Sequence, residues 1–157
     1  MNREAEYELR NADATDALGR RLATLIPDAG IGLALSGPLG AGKSSLARSL
    51  LHGLGVTGAI PSPTYTLVEP YTVHGREVYH VDLYRIGDAE ELELLGLAEL
   101  GEGAVLLVEW PERDETHRLR FDLTLALSHR ETGRGLGLHA HTPAGEVLRQ
   151  SLVEWLG

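Results

Sequence analysis

Eight residues carry the clearest chemistry in the chain: Gly37-Pro38-Leu39-Gly40-Ala41-Gly42-Lys43-Ser44. They have the G-x-x-x-x-G-K-[ST] spacing of a Walker A phosphate loop. Glycines let a backbone wrap closely round phosphate oxygens. N–H groups at the opening of a helix point at the anion, and the helix dipole favours negative charge there. On this reading Pro38, Leu39, Gly40, Ala41, Gly42, Lys43, Ser44 and Ser45 cradle the phosphates. Lys43 reaches the β- and γ-phosphates, and the Ser44 hydroxyl binds Mg²⁺. Lys43 is the only lysine, against thirteen arginines. A compact ammonium inside a phosphate loop is a harder role for arginine to refill than a surface charge.

Such a loop needs a carboxylate from the end of a neighbouring strand to hold Mg²⁺, directly or through water. Two are available. Glu109 follows the apolar run Ala104-Val105-Leu106-Leu107-Val108, and Asp82 ends the less regular His80-Val81-Asp82. Glu109 is read as the metal-side acid and Asp82 as a second acid near the γ-phosphate. Both lie where an α/β sheet presents its ligand site, beyond the carboxyl ends of strands. Either acid alone also suits a solvated strand end. Ser62, Thr64 and Thr66 offer hydroxyls that can bind Mg²⁺ or the γ-phosphate and let go after hydrolysis; they equally suit an ordinary loop. Trp110 can stack on a base or a partner, or fill the core or its rim. Arg85 and Arg113 can stabilise transition-state charge, but read first as surface residues. The seven histidines show no zinc spacing. A guanine-reading [NT]-K-x-D element is excluded because Lys43 has no companion lysine. That favours ATP, although no adenine-reading motif is visible.

The elements that must position these groups are legible. Ile31–Ser36 is an apolar strand leading into the loop. Leu46, Ala47, Leu50, Leu51 and Leu54 mark one face of the following helix, and Gly55 is a suitable stop. Before them, Glu6–Arg10 reads as an edge strand. Asp13 or Thr15 is placed to cap a helix burying Leu18, Leu22, Leu25 and Ile26. Residues 57–71 read as a loop and a strand, with prolines flanking Ser62 to keep it extended. Residues 73–76 read as a hairpin turn into a strand at Glu77–Leu83, and Asp88 as the cap of an acidic helix through Leu95. Val105–Val108 suits a strand buried on both faces. Phe121, Leu123, Leu125 and Leu127 alternate with polar residues, Gly133-Arg134-Gly135 turns, and Leu136–His141 returns. Residues 143–157 suit a last helix or another hairpin. The fold class is α/β, a three-layer mixed sheet with parallel central strands and antiparallel C-terminal strands.

Composition bounds the rest. A chain of 157 residues, 43% apolar, predicts one globular domain over 1–157. A net charge of −9 argues against gripping nucleic acid by the chain's own phosphate neutralisation. Without cysteine there is no disulfide or thiol chemistry. No signal-peptide pattern and no apolar run near ~20 residues is visible, so no membrane role and a cytoplasmic location are expected.

Four blocks together resemble the bacterial P-loop ATPase family of tRNA threonylcarbamoyladenosine synthesis, TsaE, formerly YjeE. They are Gly37–Ser45, Ser62-Pro63-Thr64-Tyr65-Thr66-Leu67-Val68-Glu69, His80-Val81-Asp82-Leu83-Tyr84-Arg85 and Val108-Glu109-Trp110-Pro111-Glu112. The resemblance runs from about residue 14 to 127. It implies slow, Mg²⁺-dependent ATP hydrolysis, with Ser44 and Glu109 on the metal, Asp82 needed for hydrolysis and Thr64 in a switch-like loop. It also implies two partners: the subunit that transfers the threonylcarbamoyl group to adenosine beside the anticodon, and that subunit's pseudo-enzyme companion. The nucleotide cycle would reset that complex between turnovers, with tRNA held indirectly through it. The family usually has Asp where Pro38 stands and Thr where Ser44 and Ser45 stand. Ser44 keeps the hydroxyl; Pro38 loses an N–H and a carboxylate. Two other readings stay open: a small-molecule or nucleotide kinase, for which no arginine-rich lid is visible, and a nucleotide-gated module with negligible hydrolysis.

Overall fold

The computed structural model describes residues 5–157. One seven-stranded sheet organises them. Its strands are β1 (Glu6–Leu9), β2 (Ile31–Ser36), β3 (Val68–Val73), β4 (Arg76–Asp82), β5 (Val105–Glu109), β6 (Leu123–His129) and β7 (Arg134–Ala140), in the spatial order β1-β7-β6-β2-β5-β4-β3. The inner four, β6, β2, β5 and β4, are mutually parallel. β7 and β1 extend one side antiparallel, and β3 closes the other as the hairpin partner of β4. This is the expected mixed sheet. Four helices flank it: α1 (Ala12–Thr24), α2 (Lys43–Leu54), α3 (Ala89–Leu94) and α4 (Pro143–Leu156).

Alternation along the strands divides the core in two. On one face Ile31, Leu33, Leu35, Leu107, Leu123 and Leu125 pack with Leu18 and Leu22 of α1, Leu46 and Leu50 of α2, and Leu148 and Leu152 of α4. On the other, Val81, Leu83, Leu106 and Val108 lie under Leu92 of α3, Leu97 and Leu119. Fully burying a leucine is worth about 1.5–3 kcal/mol, so the first face supplies most of the apolar driving force. β5 is buried along its whole length, as its unbroken apolar run requires.

Two helix starts differ from the expectation or resolve it. Asn11, not Asp13 or Thr15, caps α1: its side-chain oxygen accepts from the Ala14 N–H at 2.9 Å. Asp13 sits in the first turn, where its charge suits the dipole, and Thr15 is buried. The C-terminal segment is a helix. The Thr142 hydroxyl accepts from the Gly145 N–H at 3.1 Å and donates to Asp122 at 2.6 Å, and Pro143 occupies the first turn. Phe121 precedes β6 rather than joining it. Asp88 caps α3 and Gly55 ends α2, both as expected.

Register brings the chemistry together. Glu109, at the end of β5, pairs with Leu35 of β2 on one side and with Asp82 of β4 on the other. The glycine-rich loop leaves β2 one residue further on, so the loop and both acids emerge at one edge of the sheet. His80 and Asp82 share the parity of Val78, and Glu109 that of Leu107, so all three point to the α2 face.

Candidate nucleotide site

The loop between β2 and α2 folds as its glycines require. Gly37, Gly40 and Gly42 all have positive φ. At Gly37 a side chain is excluded twice: φ is 143°, and a Cβ would lie 2.4 Å from the Leu127 carbonyl oxygen. Gly42, in the left-handed region, opens α2 without a side-chain cap, leaving the helix N–H groups facing the loop.

Lys43 is only 5% exposed. Its ammonium donates to the carbonyls of Gly37 and of Pro38, the latter at 3.0 Å, and lies 3.9 Å from the centre of the Trp110 ring. Burial pushes its pKa down, while the charges of Glu109, Glu112 and Asp82 pull it back up. Trp110 itself adopts a left-handed backbone (φ 58°, ψ 52°), which is strained for a non-glycine residue and turns the chain sharply at the end of β5.

The two acids take different partners. Glu109 is 2% exposed; Ser44 donates to its Oε1 at 2.8 Å, and His80 Nε2 lies 2.7 Å from its Oε2. Asp82 accepts from the Tyr84 N–H at 2.9 Å and from the Thr64 hydroxyl at 3.2 Å. Its carboxyl is pushed above the ordinary carboxylate range, first by burial and also by the charge on Glu109; the Tyr84 and Thr64 hydrogen bonds partly offset this.

One cleft of about 300 Å³ collects these groups. Leu39, Gly40, Ala41, Gly42, Lys43, Ser44, Ser45, Thr64, Asp82, Glu109 and Trp110 line it, joined by Tyr84 and Arg134. Pro38 contributes only its carbonyl, through Lys43. Ser62 stands 2.9 Å from Thr64, hydroxyl to hydroxyl, but Thr66 is not brought in: it donates to Glu69 at 2.8 Å. Arg85 and Arg113 lie over the rings of Tyr65 and Tyr84. Hard oxygen donors, one hydroxyl and one carboxylate in contact, fit Mg²⁺, which keeps several waters and takes few protein ligands beside a nucleotide's phosphates.

The family model for the threonylcarbamoyl adenosine biosynthesis protein TsaE matches residues 9–136. The chain belongs to the TsaE family. It is 40% identical over 113 residues to the tRNA threonylcarbamoyladenosine biosynthesis protein TsaE of Haemophilus influenzae, covering 71% of this chain and 72% of that one. The TsaE protein of Streptomyces coelicolor is 45% identical over 114 residues, 67% of this chain and 76% of the relative. The crystal structure of Bacillus subtilis YdiB superposes with a TM-score of 0.76 at 25% identity, covering 100% of this chain and 99% of that one.

Sequence reasoning missed three contributors to the site. Arg134 was legible only as part of a Gly-Arg-Gly turn, yet it lines the cleft beside Gly42. Beyond it a second cavity of about 290 Å³, formed with Asn11, Thr15, Asp16 and Ser49, shares Gly42, Ser45 and Arg134 with the first. A helix cap and a turn carry no spacing signal that would have grouped them. His80 stood in the sequence only as the start of the block that holds Asp82, and a lone histidine in a strand carries no spacing signal of its own.

Proposed function

We propose that this protein binds ATP with Mg²⁺ in the cleft and hydrolyses it slowly in the service of tRNA threonylcarbamoyladenosine biosynthesis. The single observation that carries the nucleotide reading is the 2.8 Å contact between Ser44, in the first turn of α2, and Glu109, with Asp82 on the adjoining strand. Family membership carries the pathway.

The chain's own groups divide the work. The loop N–H groups and Lys43 hold the phosphates once the ammonium leaves the carbonyls of Gly37 and Pro38. Ser44 and Glu109 would hold Mg²⁺, which would supply charge neutralisation to the phosphates. Asp82 orients the attacking water and takes its proton; a carboxylate whose proton affinity is raised by burial is the better base. The products are ADP and inorganic phosphate. The second cavity, continuous with the loop through Ser45, takes the ribose and base.

Slow turnover follows from the arginines. Among the described residues only Arg134 lines the cleft, on the Gly42 side of the loop. An arginine supplied in trans is worth ~10³–10⁵ in rate. The transferase subunit and its companion are the candidates to complete the site, and their complex, not this acidic chain, grips tRNA.

The test is steady-state ATP turnover by the purified protein, alone and with the two partner subunits. We expect inorganic phosphate as product and acceleration by the partners. Equal rates with and without them would refute the partner role, and a phosphorylated acceptor would establish a kinase instead.

A further inference from the structure

We propose that His80 is a positioning residue for Glu109, fixing which carboxylate oxygen is offered to the metal. The proposal rests on the reading of Glu109 as the metal-side acid.

His80 is completely buried, and its Nε2 lies 2.7 Å from Glu109 Oε2. Its Nδ1 is also buried and meets no hydrogen-bond partner among the described residues. A proton on Nδ1 would be a buried donor with nothing to accept it, whereas a proton on Nε2 points at a carboxylate. The ring therefore carries its proton on Nε2 and donates it to Oε2. Ser44 holds the other oxygen at 2.8 Å. The two donors grip the carboxylate from opposite ends and set its plane.

The consequence is a division of labour between the oxygens. Oε1 shares the mouth of α2 with Ser44, the pair that would hold the cation. Oε2 faces back into the sheet, tied to His80. Without that tie the carboxylate can rotate about its last bond, and the oxygen meant for the metal is no longer held in place. Partners of metal-ligating groups commonly contribute 10–100-fold in metal affinity. His80 lies two residues before Asp82 on the same face of β4. One strand thus presents the water-side acid and braces the metal-side acid on its neighbour.

The experiment compares His80→Phe, which keeps the volume without the donor, with His80→Gln, which restores an N–H. Binding of a fluorescent ADP analogue is measured against Mg²⁺ concentration and also without metal. For His80→Phe we expect the Mg²⁺ half-saturation to rise ~10–100-fold and metal-free binding to stay within about twofold of wild type. His80→Gln should recover most of the loss. A wild-type Mg²⁺ response in His80→Phe, or no recovery in a folded His80→Gln, overturns the proposal. Long-range ¹H–¹⁵N spectra of the wild-type protein decide independently of whether either variant folds. A proton on Nε2, with a shift that moves when Mg²⁺ and ADP are added, supports the proposal; a proton on Nδ1 alone overturns it. If the wild-type protein shows no Mg²⁺ dependence of nucleotide binding, the reading of Glu109 falls first. If Glu109→Gln abolishes that dependence while His80→Phe retains it, only the role of His80 falls.

Discussion

Replacing Glu109 with glutamine separates its structural from its chemical role. The carboxylate accepts from Ser44 at 2.8 Å, and His80 Nε2 lies 2.7 Å from its other oxygen. Glutamine fits the same volume: its oxygen can accept from His80 and its amide can donate to the Ser44 oxygen. Both contacts survive, and the repulsion that Glu109 exerts on Asp82 disappears. The stability of the apo variant should stay within about 1 kcal/mol of wild type. Alanine would instead strand the buried His80 donor at about 1–3 kcal/mol, while Ser44, which lines the cleft, could turn to water. The amide is a far weaker ligand for a hard cation than a carboxylate. At a concentration of Mg²⁺ and ADP one hundred times the dissociation constant, ligand stabilises wild type by about 2.7 kcal/mol. For a chain of this size that is roughly 5–10 °C in Tm. A hundredfold loss of affinity in Glu109→Gln removes nearly all of it. Thermal melts with ADP, with and without Mg²⁺, read this directly. An unperturbed Mg²⁺-dependent increment in Glu109→Gln would refute the assignment of the metal-side acid.

Asp82→Asn should abolish phosphate release while leaving Mg²⁺-dependent nucleotide binding intact; single-turnover assays beside equilibrium binding check both. The same variant tests the pH reading. Because the Asp82 pKa is raised on folding, the native state keeps this proton where the unfolded chain has lost it, so its contribution favours folding most at low pH and is lost as pH rises through the folded value. Denaturant titrations should show Asp82→Asn gaining stability relative to wild type across that rise and then levelling off. Gly37→Ala should cost about 1–3 kcal/mol from its backbone conformation alone, more from the clash with Leu127, and should abolish ATP binding, as calorimetry would show. Thr142→Ala should cost about 1 kcal/mol through loss of the α4 cap, without altering nucleotide affinity, because that cap lies outside both cavities.

The strand, loop and helix around Lys43 were readable because two periodicities meet at a glycine-rich junction. The pairing of the acids was not. Glu109 and Asp82 could each be placed at a strand end from the sequence, but their adjacency depends on β5 inserting between β2 and β4, a long-range choice that no local pattern encodes. The α1 cap went to Asn11 because three candidate cappers lie within five residues and only the extended backbone at Asn11 selects among them. The C-terminal segment was undecided because Pro143 and Gly145 are turn residues elsewhere; here Thr142 anchored to Asp122 makes them the first turn of a helix. The β6–β7 hairpin was readable, but Arg134 and the second cavity depend on β6 lying beside β2, and so were invisible for the same reason as the acid pair.

Thr64 and Tyr65 are neighbours with opposite outlooks. The Thr64 hydroxyl reaches inward to Asp82, whereas the Tyr65 ring is 80% exposed and has the Arg85 guanidinium laid across it. Because a single peptide unit joins them, the inward contact with Asp82 and the exposed ring share one short piece of backbone. The lining of the cleft and a patch of the protein's exterior are thus built from adjacent residues of one turn.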